Sequence, residues 1–160
     1  MVRDQVLPET IEVYVRSLSP HGSPQQQALF EQLDTLSQEG VIDYWTVHVV
    51  GDEVCPDTAT ETKLGRFICK RIQEFTAWAE RNDMSFGSFF EQRQVTSQIT
   101  REGYETMVLP SVTLAEYDEQ GTLQFVTPSF DGETHHTPAT RLDGLLDGSK
   151  EDTTPAVMPR

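Results

Sequence analysis

Two cysteines, four histidines and one helix-opening turn are the places where this chain could do chemistry. Cys55 and Cys69 stand fourteen residues apart, which fits neither a CxxC redox pair nor a metal-knuckle spacing. Cys55 lies among Asp52, Glu53 and Asp57. Nearby negative charge disfavours a thiolate, so the plain reading is an inert loop thiol and the sharper alternative a single-thiol enzyme using Cys55. Cys69 falls beside an apolar helical arc and reads as packing. Asp131-Gly132-Glu133-Thr134-His135-His136 gathers metal-ligand types. Adjacent histidines in an extended chain point to opposite sides, and no further ligand is spaced to close a shell, so no metal is expected. His48 shares a strand face with Tyr44 and Thr46 and reads as a structural histidine. Phosphate loop, nucleophile elbow and paired-carboxylate motifs are all missing, so no catalytic residue is assigned and no cofactor is expected. Ser19-Pro20-His21-Gly22-Ser23 is the remaining candidate, because free amides at a helix start can take an anion or a partner's carboxylate.

The elements that must position these residues follow from periodicity. Residues 1–10 form a loose lead-in. Ile11 to Leu18 alternates apolar with polar and reads as a strand. Ser23 caps a helix with Pro24 first and Gln26 at the capping-box position; Leu29, Phe30, Leu33 and Leu36 form its stripe and Gly40 its stop. Tyr44 to Val50 is a second strand, followed by a loop to Glu61. Leu64, Phe67, Ile68, Ile72, Phe75 and Trp78 recur at 3.6-residue spacing and make the strongest helix. Arg71 projects into the same arc, either as a stem with its head in water or toward a buried carboxylate. Phe90 to Thr96 reads as a strand and Thr100 to Met107 as a weak helix. Ser111–Tyr117 and Thr122–Thr127 form a hairpin across Asp118-Glu119-Gln120-Gly121. Thr137 caps a last helix from Pro138, with Leu142, Leu145 and Leu146 inward and Gly148 as stop. The expected organisation is one α/β domain over 11–148 and a disordered tail over 149–160, with a central mixed sheet, helices on both faces, and a closing antiparallel hairpin plus helix.

Charge sets the environment. Twelve basic against twenty-six acidic residues leave −14 over 160 residues. At about 1 M salt the Debye length falls to roughly 3 Å, so self-repulsion is screened while dense carboxylates preserve solubility. The composition therefore points to a halophile. No export leader or spanning apolar run is visible, so a cytoplasmic, membrane-free location with reduced thiols is expected.

The element order βαβα, βα, ββα resembles the thioredoxin fold over about residues 11–147. Leu109-Pro110, ahead of the first hairpin strand, stands where that family carries a cis-proline facing its active site. The resemblance puts Pro110 beside Ser19–Ser23. Redox members of the family carry CxxC at that helix start, some as Cys-Pro-His-Cys; this chain reads Ser19-Pro20-His21-Gly22, without sulfur. A hydroxyl has no disulfide chemistry, so dithiol exchange is excluded under this resemblance. A second resemblance, of Leu29–Val50 to the end of a winged helix-turn-helix domain, is one that small acidic haloarchaeal proteins share. Residues 24–50 contain no Lys or Arg, which disfavours DNA there.

The resulting expectation is a thioredoxin-like, non-redox binding or regulatory module. Its partner is another protein, and Ser19, Pro20, His21, Gly22, Ser23 and Pro110 are the contact residues. A helix-turn-helix transcriptional regulator is the alternative.

Overall fold

A computed structural model describes residues 8–18, 24–51, 53–96 and 103–157. The chain is α/β, built on a four-stranded mixed sheet. β1 (Thr10–Val15) lies at its centre, parallel to β2 (Tyr44–Val49) and antiparallel to β6 (Val112–Tyr117), and β6 pairs in turn with β7 (Leu123–Thr127). The strand order is β2-β1-β6-β7.

Strand alternation divides the core into two layers. Ile11, Val13, Val15 and Leu114 face α1 (Pro24–Gln38) and α4 (Pro138–Val157), where they meet Leu29, Leu33, Leu36, Leu142 and Leu145. Tyr14, Ala115, Tyr117 and Val126 face the opposite way, onto Ile68, Ile72, Phe75, Trp78 and Ala79 of α3 (Lys63–Arg81). Helices thus cover both faces, as the alternating pattern implies, and the hairpin plus helix closes the chain.

Local signals account for most boundaries. Gly40 takes φ +78°, the left-handed conformation that ends α1, and the Val41 amide returns to the Leu36 carbonyl at 2.9 Å. Asp118 Oδ1 accepts from the Gln120 and Thr122 amides at 2.8 and 2.9 Å, closing the β6–β7 turn with Gly121 at φ +81°. Thr137 Oγ1 accepts from the Thr140 amide at 3.1 Å and starts α4, which runs past Gly148 to Val157.

Three sequence expectations are corrected. The weak helix expected over Thr100–Met107 is a strand, β5 (Gly103–Val108), held between β3 (Glu53–Val54) and β4 (Gln92–Thr96) in a second sheet. Ladder partners on both sides override the weak helical spacing. The loop over 53–61 contains β3 and a one-turn helix, α2 (Pro56–Ala59). Leu64, expected in the buried arc, is 51% exposed because it lies in the first turn, before α3 reaches the sheet. The isomer of the Leu109–Pro110 peptide, which the sequence leaves open, is trans; among the described residues a cis X-Pro bond lies at Thr127–Pro128.

The Asp131–His136 segment is a hairpin of β8 (Ser129–Asp131) and β9 (Thr134–His136). His135 stacks on Phe130 at 4.3 Å and His136 meets Phe125 edge-on at 5.3 Å, so both rings serve packing.

Candidate functional site

Two places collect side chains able to make contacts. The first is a cavity of about 650 Å³ where β1 ends and β6 begins. Arg16, Gln25, Gln26, Pro110, His135 and Thr137 are among its lining residues. Arg16 is fixed at the rim because its Nε and Nη2 donate to the Leu109 carbonyl at 2.9 and 2.5 Å. Gln26 Nε2 donates to the Ser17 carbonyl at 3.1 Å. Pro110 is buried at this cavity beside the first turn of α1. Ser19, Pro20, His21, Gly22 and Ser23, expected as its companions, lie outside the described residues.

The second place is the outer face of α3. Thr62 caps that helix, its Oγ1 accepting from the Gly65 amide at 2.9 Å. Lys63, Arg66, Lys70, Gln73, Ala77 and Glu80 alternate by three and four residues and are all exposed, so they form one stripe opposite the buried one. Four of the twelve basic residues fall between Lys63 and Arg71, and no acidic residue falls there. The amino-terminal half of the stripe is therefore positive in a chain of net charge −14, and the helix dipole adds to it. Arg66 Nη1 donates to the Thr60 carbonyl at 2.8 Å, and none of the ion pairs among the described residues uses Lys63, Arg66 or Lys70.

Arg71 is the exception and serves structure. Its Nε and Nη2 grip both oxygens of Glu12 at 2.9 Å, its Nη1 reaches Glu74 at 3.1 Å, and its guanidinium lies 4.8 Å from the Phe67 ring centre. The head is held by a partly buried carboxylate rather than by water. Burial and the Glu12 carboxylate, to which Tyr14 donates, push the Tyr14 hydroxyl pKa up, so it stays protonated. Burial alone would lower the Arg71 pKa; the Glu12 contact more than offsets that and keeps it fully charged. Arg71 thus pins α3 to β1.

Between α2 and α3 runs a turn of three residues, Thr60, Glu61 and Thr62. A Cβ at Gly65 would lie 1.9 Å from the Ala59 carbonyl oxygen and 2.7 Å from its carbon, so only glycine permits this approach. Gly→Ala inside a helix ordinarily gains about 1 kcal/mol. Here the sign reverses: Gly65→Ala is expected to cost roughly 1–3 kcal/mol in denaturant unfolding, since the obstacle is backbone. Unchanged or increased stability would mean that α2 does not pack there.

The thiols take no part in either place. Cys55 Sγ lies 4.0 Å from Thr106 Oγ1, and burial pushes the Cys69 thiol pKa up, disfavouring its thiolate. His48 stacks on Tyr14 at 5.2 Å and sits 5.0 Å from Phe67. Among the described residues no three His, Cys, Asp or Glu side chains converge to hold a metal, and no helix is long and apolar enough to cross a membrane.

Leu29–Val50, the segment that resembles the end of a winged helix-turn-helix domain, comprises most of α1, the turn at Gly40 and β2, a sheet strand parallel to β1. The apolar periodicity that locates α3 says nothing of its opposite face; the signal for the stripe is the spacing of Lys63, Arg66 and Lys70.

No curated protein and no solved structure matches this chain. A family model described as a helix-turn-helix domain matches residues 4–150, nearly the whole sequence, and the chain belongs to that family.

Proposed function

We propose that the protein is a DNA-binding transcriptional regulator whose reading surface is the amino-terminal half of α3, presented by the α2–turn–α3 unit. The observation that carries this reading is the Lys63, Arg66, Lys70, Gln73 stripe, exposed and basic in an otherwise acidic chain. Two helices joined by a three- or four-residue turn, the second lying in the major groove, are the working parts of helix-turn-helix proteins. Lys and Arg supply phosphate contacts or bidentate contacts to guanine, and Gln suits adenine. Family membership supports the same class.

The charge of −14 decides how this surface works. At low salt the acidic remainder repels DNA; at molar salt that repulsion is screened and base contacts carry the selectivity. Selection from a random duplex pool in molar KCl is the test. Enrichment of a defined sequence is expected, and a pool that stays random through repeated rounds contradicts the proposal.

A second reading is favoured by the 650 Å³ cavity at Pro110. The strand order β2-β1-β6-β7 and the place of Pro110 just ahead of β6 support a thioredoxin-like contact module. On this reading Ser19–Ser23 and Pro110 bind a partner protein without redox chemistry, in a halophile's cytoplasm.

A further inference from the structure

We infer that the outer edge of β2 is a self-pairing surface, joining two copies of this chain through one continuous sheet of eight strands. β2 lies at the end of the sheet, with β1 on one side and, among the described residues, no strand on the other. The Val50 amide donates to the Val15 carbonyl at 2.8 Å, so the even-numbered residues of this strand face β1. By alternation, Trp45, Val47 and Val49 direct their N–H and C=O groups to the open side. Three donors and three acceptors in a row form a template for another strand.

Natural edges are normally blunted by Lys, Pro or a bulge. β2 has none of these. Its sequence, Tyr44-Trp45-Thr46-Val47-His48-Val49, carries no acidic or basic residue other than the histidine. Tyr44, Val47 and Val49 are 54, 37 and 44% exposed. The far edge of the same sheet is treated differently. There the Gln124 carbonyl accepts from Trp78 Nε1 at 3.1 Å, and the Phe125 ring lies 4.4 Å beneath the Arg141 guanidinium.

Register and charge identify a second copy as the occupant. Antiparallel pairing places outward-facing residues opposite one another, which puts the twofold axis at Val47. Val47 then meets the partner's Val47, and Trp45 meets the partner's Val49, apolar pairs of the kind that stabilise ladders. Thr46 meets the partner's His48 on the other face. Two chains of −14 each repel over most of their surface, whereas β2 itself carries no carboxylate, and Asp34 beside it accepts from Trp45 Nε1 at 3.1 Å. The twofold axis stands perpendicular to the sheet, so both α3 stripes end on the same face. That suits reading two half-sites of a palindrome. The pairing itself rests on β2 alone and is measured without DNA, so its failure leaves the DNA reading standing.

Sedimentation equilibrium of the full chain in molar KCl tests it. The expected mass is twice the 18.1 kDa of one chain. Val47→Lys sets two like charges opposite each other at the axis and is expected to sediment as a single chain with an unchanged far-ultraviolet circular dichroism spectrum, whereas Val47→Thr stays paired. Backbone amide exchange of the unaltered protein provides a reading that needs no variant: slow exchange at Trp45, Val47 and Val49. A single-chain mass at all concentrations, a paired Val47→Lys, or fast exchange at these three amides would each overturn the inference.

Discussion

Replacing Lys63, Arg66 and Lys70 together by glutamine is expected to lower affinity for a selected duplex on the order of 100-fold. The basis is about 1 kcal/mol or more for each lost charged contact. The slope of log K against log salt should also fall by about 3, close to 1 for each cation that neutralises a phosphate. Glutamine keeps helix propensity near that of Lys and Arg, so α3 should remain folded. The three positions lie on the exposed stripe, opposite the buried Ile68, Ile72, Phe75 and Trp78, and the one bond lost is that from Arg66 to the Thr60 carbonyl, so stability should move little. An affinity and a salt slope both unchanged would remove α3 from the interface.

The largest stability effect is expected at Arg141. Its Nε and Nη2 meet both oxygens of Glu116 at 2.7 and 2.8 Å, and the Glu116 side chain is 1% exposed. Arg141→Ala leaves a buried carboxylate without its partner, which costs about 3–5 kcal/mol. The pH dependence has a definite sign. Burial raises the Glu116 pKa and Arg141 lowers it, burial being the larger effect, so the folded protein holds this proton more tightly than the unfolded chain. Stability from such a group is fully present below the ordinary carboxyl range and is lost as pH rises through the folded value. Removing Arg141 takes away the lowering influence and widens that window. The deficit of Arg141→Ala measured by urea unfolding should therefore be smallest in acid and largest above neutrality. A deficit independent of pH would mean that Glu116 is not the partner that suffers.

How far the sequence disclosed these sites depends on the distance over which each signal acts. Local punctuation was legible: Gly40 at the end of α1, Asp118 and Gly121 in the hairpin, Thr137 ahead of α4. The apolar arc from Phe67 to Trp78 located α3, and the alternation in Ile11–Val15 located the central strand. Signals that depend on a distant partner were not legible. Gly103–Val108 has weak helical spacing, and only β3 and β4 make it a strand. Arg71 reads as a solvated stem until β1 brings Glu12, 59 residues away in sequence, against it. Pro110 was placed correctly ahead of β6, yet its peptide is trans, because position along the chain does not determine the isomer. The basic stripe is carried by spacing alone, at Lys63, Arg66 and Lys70 on the polar side of α3, away from the apolar arc that locates the helix.

The most direct measurement is a titration of isotopically labelled protein with a selected duplex in molar KCl, followed by amide chemical shifts. Shifts concentrated at Lys63, Arg66, Lys70 and Gln73, with those around Arg16 and Pro110 unmoved, are expected if α3 is the reading surface. Shifts confined to Arg16, Gln26 and Pro110, or none in α3 at saturating duplex, would contradict it.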